Sequence, residues 1–123
     1  MKSNTVQIIA YGTLMTGEPN HRFCRNAVAI RPCTITGTLY DTGWGFPAFV
    51  PGDTGTVRAE LIEIPPADLL AMDRLEGYPR LYDRQQILAT LADGSTVEAW
   101  VYVMNRLPPQ ATVIASGDWK NRG

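Results

Sequence analysis

Only two cysteines and one histidine occur in the 123 residues. No uninterrupted apolar stretch approaches the roughly 20 residues a helix needs to cross a bilayer. Cys24 and Cys33 do not form a Cys-x-x-Cys pair, and with His21 as the only imidazole a zinc site would lack ligands. Both cysteines are therefore read as free thiols, and neither a metal nor another cofactor is expected. Charge of one sign is missing as well. Eleven Lys and Arg stand against 12 Asp and Glu, for a formal charge of -1, with no block of like charge anywhere. Binding to a phosphate backbone draws on a concentrated basic face, so nucleic acid is not an expected partner. Met1 to Val6 carry one lysine and then Ser3, Asn4 and Thr5 with no apolar run behind them, which reads against a secretory signal. The expectation is a soluble cytoplasmic chain with no membrane partner. Its 45% hydrophobic residues suffice for one core, so residues 1–123 are expected to form a single domain.

Local patterns indicate an α+β fold. Val6 to Tyr11 is a short apolar run stopped by Gly12, as expected of a strand entering a tight turn. Asn20 is a candidate N-cap for a short helix over His21 to Ala27. Thr34 to Thr42 and Thr54 to Ile64, rich in Thr, Val, Ile and Leu, read as strands, with Phe46 to Pro51 as a shorter one between them. Pro65 and Pro66 stop the second strand and open a helix over Ala67 to Leu75, which Gly77 and Pro79 end. Leu81 to Leu91 and Thr96 to Met104 are joined by Ala92-Asp93-Gly94-Ser95, a strong hairpin signal. The sum is a set of mostly antiparallel strands, able to close as a barrel, with two short helices.

Two places carry chemistry. On a helical wheel, Leu69, Met72 and Leu75 form one apolar stripe, and Glu76 falls within about 20° of Leu69. Glu76 therefore points toward the core, in the last helical turn, where the dipole disfavours a carboxylate. Both influences raise its pKa toward the range of a general acid and base at neutral pH. The alternative is a frayed helix end in which Glu76 reaches water or pairs with Arg74, Arg80 or Arg84. Asp73, three residues earlier, would make a carboxylate pair of the glycosidase kind, but no aromatic platform accompanies it. The second place is Tyr11-Gly12-Thr13-Leu14. Gly12 lets the chain turn so that successive N–H groups point the same way, a nest for an anion or a polarised carbonyl, with the Thr13 hydroxyl as a further donor. The alternative is a plain turn. The segment lacks the Gly-Lys-Ser/Thr ending of a phosphate loop.

Tyr11-Gly12-Thr13-Leu14 followed by Met72-Asp73-Arg74-Leu75-Glu76-Gly77-Tyr78-Pro79 resembles the γ-glutamylcyclotransferase-like family, which carries an early Tyr-Gly-Ser/Thr-Leu loop and a later Leu-Asp-x-Leu-Glu-Gly-Tyr-Pro helix end. Gly17-Glu18-Pro19-Asn20-His21 and Leu81-Tyr82-Asp83-Arg84 look like the γ-glutamylamine cyclotransferases. Ser116-Gly117-Asp118-Trp119 looks like the ending of small bacterial members. The resemblance implies a small mixed β-barrel with flanking helices and a small-molecule γ-glutamyl substrate. It also implies release of 5-oxoproline with no cofactor. Tyr11, Gly12, Thr13 and Leu14 become substrate binders and Glu76 the catalytic acid and base. Tyr82 lines the pocket and, on a looser match, so does Tyr102, whose alternative is a plain barrel-wall residue; Pro47-Ala48 lies near the mouth. After Val57 the chain has Arg58-Ala59-Glu60 where the family often has Gly-Glu and a tyrosine, which bears on the pocket floor. Glu60 is read as a buried hydrogen-bond partner and His21 as a surface residue at a helix start. The reading from another class is a non-catalytic module that uses the same pocket to bind a small amide or a peptide end.

Overall fold

A computed structural model describes residues 4–122. Five strands, β1 (Val6–Ala10), β2 (Ala29–Asp41), β3 (Pro47–Ile64), β4 (Tyr82–Leu91) and β5 (Thr96–Met104), close into a barrel, and β6 (Thr112–Val113) adds to the edge of β2. The circuit is mixed. β1 pairs with β3 antiparallel, Val6 opposite Ile64, and with β5 in parallel, Ile8 opposite Trp100. β4 and β5 form the expected hairpin, with Gly94 at a positive φ of 87° in its turn. β4 then meets β2 at Cys33 opposite Leu91, and the long β2–β3 pairing completes the ring.

Closure buries β1 on both faces. Ile9 joins a cluster drawn from all five strands, including Ile35, Phe49, Val57, Ala89 and Val101, which fills the barrel. Its neighbours Ile8 and Ala10 point the other way, toward Ile62, Ile64, Met72 and Met104 under the helix. That outer layer is where α1 (Pro66–Leu75) docks. Met72 is fully buried, Leu69 and Leu75 pack beside it, and Leu70 stays exposed, as the apolar stripe requires. No helix among the described residues is long and apolar enough to cross a membrane.

Three elements differ from their expected form. The helix expected over His21 to Ala27 is a single 3-10 turn, His21–Cys24, and Asn20 makes no side-chain cap to it. Its carboxamide is turned instead to the Thr13 hydroxyl, 3.1 Å away. The strands expected over Phe46 to Pro51 and Thr54 to Ile64 are one strand, β3. Opposite Gly37 the pairing jumps from Thr56 to Pro51, so residues 52–55 bulge out without ending the ladder. β2 begins at Ala29, five residues earlier than its composition indicates, because Ala29 to Cys33 pair with the far end of β3.

Candidate active site

β1 delivers the chain to Tyr11 at one end of the barrel. Tyr11, Gly12, Thr13, Leu14, Glu76, Tyr82 and Tyr102 all border one cavity, with Phe46 and Pro47 opposite the loop. The loop is fixed from outside. Met15 N–H donates to Gly12 O at 3.0 Å, and Asn20 N–H to Thr13 O at 2.9 Å. His21 Nδ1 lies 2.9 Å from Leu14 O, so the imidazole pins the loop rather than standing free on the surface. Glu60 accepts from Thr16 N and Oγ1 at 2.7 and 3.1 Å, and Glu18 accepts from the Trp119 indole at 3.0 Å. The N–H groups of Gly12, Thr13 and Leu14 donate to no described residue, which leaves them free to bind an anion or a polarised carbonyl. Gly12 is required here for space, not for a left-handed turn: its φ is not positive, and a Cβ would stand 2.5 Å from Pro47 Cγ.

Glu76 is the C-cap of α1, and its N–H donates to Met72 O at 2.9 Å. The helix does not fray there. Gly77, at a φ of 64°, donates to Arg74 O at 3.2 Å and Tyr78 N–H to Asp73 O at 2.8 Å, the pair of bonds that closes a helix with a left-handed residue after the cap. None of the three candidate arginines pairs with Glu76. Arg84 instead grips Asp73 through Nε and Nη2 at 2.9 and 3.2 Å, and Tyr102 donates to the same carboxylate at 2.7 Å. Asp73 is thus fully engaged and does not act as a second carboxylate beside Glu76. Without an ion-pair partner among the described residues and desolvated by burial, Glu76 is pushed up from 4.5 to about 7.

This desolvation has a thermodynamic signature. Between pH 4.5 and about 7 the unfolded chain has released the Glu76 proton while the native chain keeps it. Rising pH therefore costs the native state stability across that window, by on the order of 3 kcal/mol, and no further above it. Glu76→Gln removes the titration, so the variant should be more stable than the wild type at pH 8 and the gap should close toward pH 4. Urea unfolding at several pH values measures this. Parallel curves for the two proteins would mean a well-solvated carboxylate.

Three phenols wall the cavity, and each hydroxyl is directed into the protein. Tyr11 donates to Tyr102 O, Tyr82 to Pro47 O and Tyr102 to Asp73, all at 2.7 Å. Burial raises all three pKa values above the ordinary phenol range, so they remain protonated donors at neutral pH. Cys24 and Cys33 are free and buried, their thiols pushed up to about 11 by burial, and neither borders the cavity.

The profile of the family described as gamma-glutamyl cyclotransferase, AIG2-like, matches residues 8–121, and so takes in both the loop and the glutamate. The chain belongs to this family. Among its relatives is a putative gamma-glutamylcyclotransferase of Halalkalibacterium halodurans, 41% identical over 96 residues, covering 72% of this chain and 83% of the relative. The gamma-L-glutamyl-butirosin B gamma-glutamyl cyclotransferase of Niallia circulans is 33% identical over 120 residues, covering 92% and 74%. An AIG2-like protein from Mus musculus shares the fold with a TM-score of 0.78 at 24% identity, over 87% of this chain and 82% of that one.

In this AIG2-like cyclotransferase chain, the residues the sequence singled out meet at one cavity although the outermost of them, Tyr11 and Tyr102, lie 91 positions apart. Ala48 is fully buried and takes no part in the lining. Phe46 was not legible as a wall residue, since a lone aromatic in a Gly-rich turn has no periodicity. The engagement of Asp73 by Arg84 also escaped local reading. Its only signal is the arginine of Leu81-Tyr82-Asp83-Arg84, 11 positions away.

Proposed function

We propose that this chain is a γ-glutamyl cyclotransferase that releases 5-oxoproline and a free amine from γ-glutamyl amides. The observation that carries the reading is a desolvated Glu76, without an ion-pair partner among the described residues, lining the same cavity as Gly12, Thr13 and Leu14, whose N–H groups donate to no described residue. A γ-glutamyl compound holds its own nucleophile, the α-amine, which can reach the γ-carbonyl and close a five-membered lactam. The loop amides would bind the glutamyl group and keep it folded, supplying proximity for which effective molarities reach about 10⁵ to 10⁸ M. Glu76 as carboxylate takes a proton from the α-ammonium. The nitrogen attacks the γ-carbon, a backbone N–H stabilises the oxyanion, and the γ C–N bond breaks as Glu76 returns the proton to the leaving nitrogen. The second proton shed by the α-nitrogen on ring closure ends on the released amine, which departs as ammonium.

The reaction should give amine and 5-oxoproline in equal amounts, because cyclisation and cleavage are one event. In ¹⁸O-labelled water the oxoproline should carry no label, and N-acetylation of the α-amine should stop turnover. Labelled glutamate as the primary product, followed by mass spectrometry, would turn the reading to hydrolysis. No product from any γ-glutamyl amide would turn it to a binding module.

A further inference from the structure

A second, more spacious cavity adjoins the first and shares Thr13, Phe46, Glu76 and Tyr82 with it. On the function proposed above, which this inference extends, the glutamyl group occupies the inner cavity and the scissile bond lies at Glu76. The leaving amine must then emerge into the outer one. Its walls are mainly apolar, with Phe46, Leu75, Leu81 and Pro19 among them. Among the described residues Glu76 is their one acid, and no Lys, Arg or His lines them. A free carboxylate placed there would have no cation to meet and would lie against an acid.

Outside this cavity an aromatic series continues to the solvent. Tyr82 lies 6.3 Å from Phe46, ring centre to ring centre, and Phe46 lies 6.0 Å from Trp44. Trp44 is 55% exposed and Leu81 43%. The Trp44 backbone is held firmly. Thr42 Oγ1 donates to Phe46 O at 2.6 Å, Trp44 N–H to Thr42 Oγ1 at 3.2 Å, Gly43 N–H to Asp41 at 2.8 Å, and Gln110 to Thr42 O at 3.0 Å. A preorganised loop presenting an indole beside an apolar cavity suits a flat apolar body better than a charged one.

We infer that the outer cavity and the Trp44–Phe46 pair form a leaving-group subsite that selects γ-glutamyl amides of apolar, preferably aromatic amines over γ-glutamyl amino acids. Trp44 determines specificity and takes no part in the bond-breaking step. Burial of a phenyl body against Phe46 and Trp44 should favour such a substrate by about 10- to 100-fold in kcat/KM.

The test compares γ-glutamyl-2-phenylethylamide, γ-glutamylmethylamide and γ-glutamylalanine as substrates of the wild type, Trp44→Ala and Trp44→Phe. The phenylethylamide should exceed both others by at least about tenfold. Trp44→Ala should lose at least about threefold on it, chiefly through KM, leave the methylamide unchanged, and be largely rescued by Trp44→Phe. Equal turnover of all three, or preference for γ-glutamylalanine, overturns the subsite while leaving cyclisation intact. If none is turned over, the cyclotransferase reading falls, and calorimetry still decides the subsite: the phenylethylamide must bind about tenfold more tightly than the methylamide and lose at least about threefold of that margin in Trp44→Ala. Unchanged kinetics and binding in Trp44→Ala, with altered sedimentation, would assign Trp44 to self-association and also overturn the inference.

Discussion

Glu76→Gln is expected to lower kcat by at least about 100-fold while KM and the fold stay close to wild type. The amide is nearly isosteric and Glu76 accepts no hydrogen bond from the described residues, so the exchange breaks no native contact. What it removes is a group able to take and return a proton. Positioned acid/base catalysis contributes about 10² to 10⁴, and a pKa near 7 places Glu76 where both protonation states are populated at neutral pH. On the proposed mechanism affinity should persist, because there the loop amides, and not the carboxylate, hold the glutamyl group. In the wild type, kcat/KM should fall about tenfold per pH unit below about 7 as the base protonates, and this limb should vanish in the variant's residual activity. Steady-state kinetics with direct quantitation of 5-oxoproline measures both. More than about a tenth of wild-type kcat in the variant would remove Glu76 from the mechanism.

Gly12→Val is expected to raise KM by at least about tenfold. A Cβ at this position meets Pro47 Cγ at 2.5 Å and Cδ at 2.7 Å, and a proline ring has no alternative rotamer to offer. Pro47 is itself fixed, as the first residue of β3 opposite Asp41 and as the acceptor of the Tyr82 hydroxyl. The loop must therefore move away from the ring, and the amides of Gly12 to Leu14 move with it. Overpacking of this kind costs about 1 to 3 kcal/mol of stability. Calorimetric titration with 5-oxoproline, alongside circular dichroism to verify folding, separates lost binding from lost structure. Unchanged affinity in a folded variant would mean that the loop is a turn and nothing more.

Much of the architecture was legible where the determining interactions are local. Thr96 to Met104 forms β5 over the whole range its composition indicates, and Asp93-Gly94 makes the turn before it. α1 starts one residue before the expected Ala67, at a proline suited to the first helical turn, and its cap uses Gly77 as expected. Legibility failed where pairing comes from afar. Ala29 to Cys33 carry a proline and little strand propensity, yet lie in β2 because residues 59–63 of β3 are available across the ladder. The two segments of β3 looked separate because Pro51, Gly52, Asp53 and Gly55 are turn residues, but the long partner strand spans the interruption. His21 to Cys24 manages only a 3-10 turn because its surroundings claim Asn20 and His21 for the loop at Thr13 and Leu14.

By itself the sequence determined β1, α1, the β4–β5 hairpin, the inward direction of Glu76 and the family, because periodicity, caps and short motifs act over a few residues. Only the tertiary structure decided that Gly12 is needed to clear Pro47, that Asp73 belongs to Arg84 and Tyr102, and that Glu76 is left desolvated and unpaired. Close approach and desolvation depend on groups 11 to 35 positions or more apart, and barrel closure is what brings them within a few ångströms.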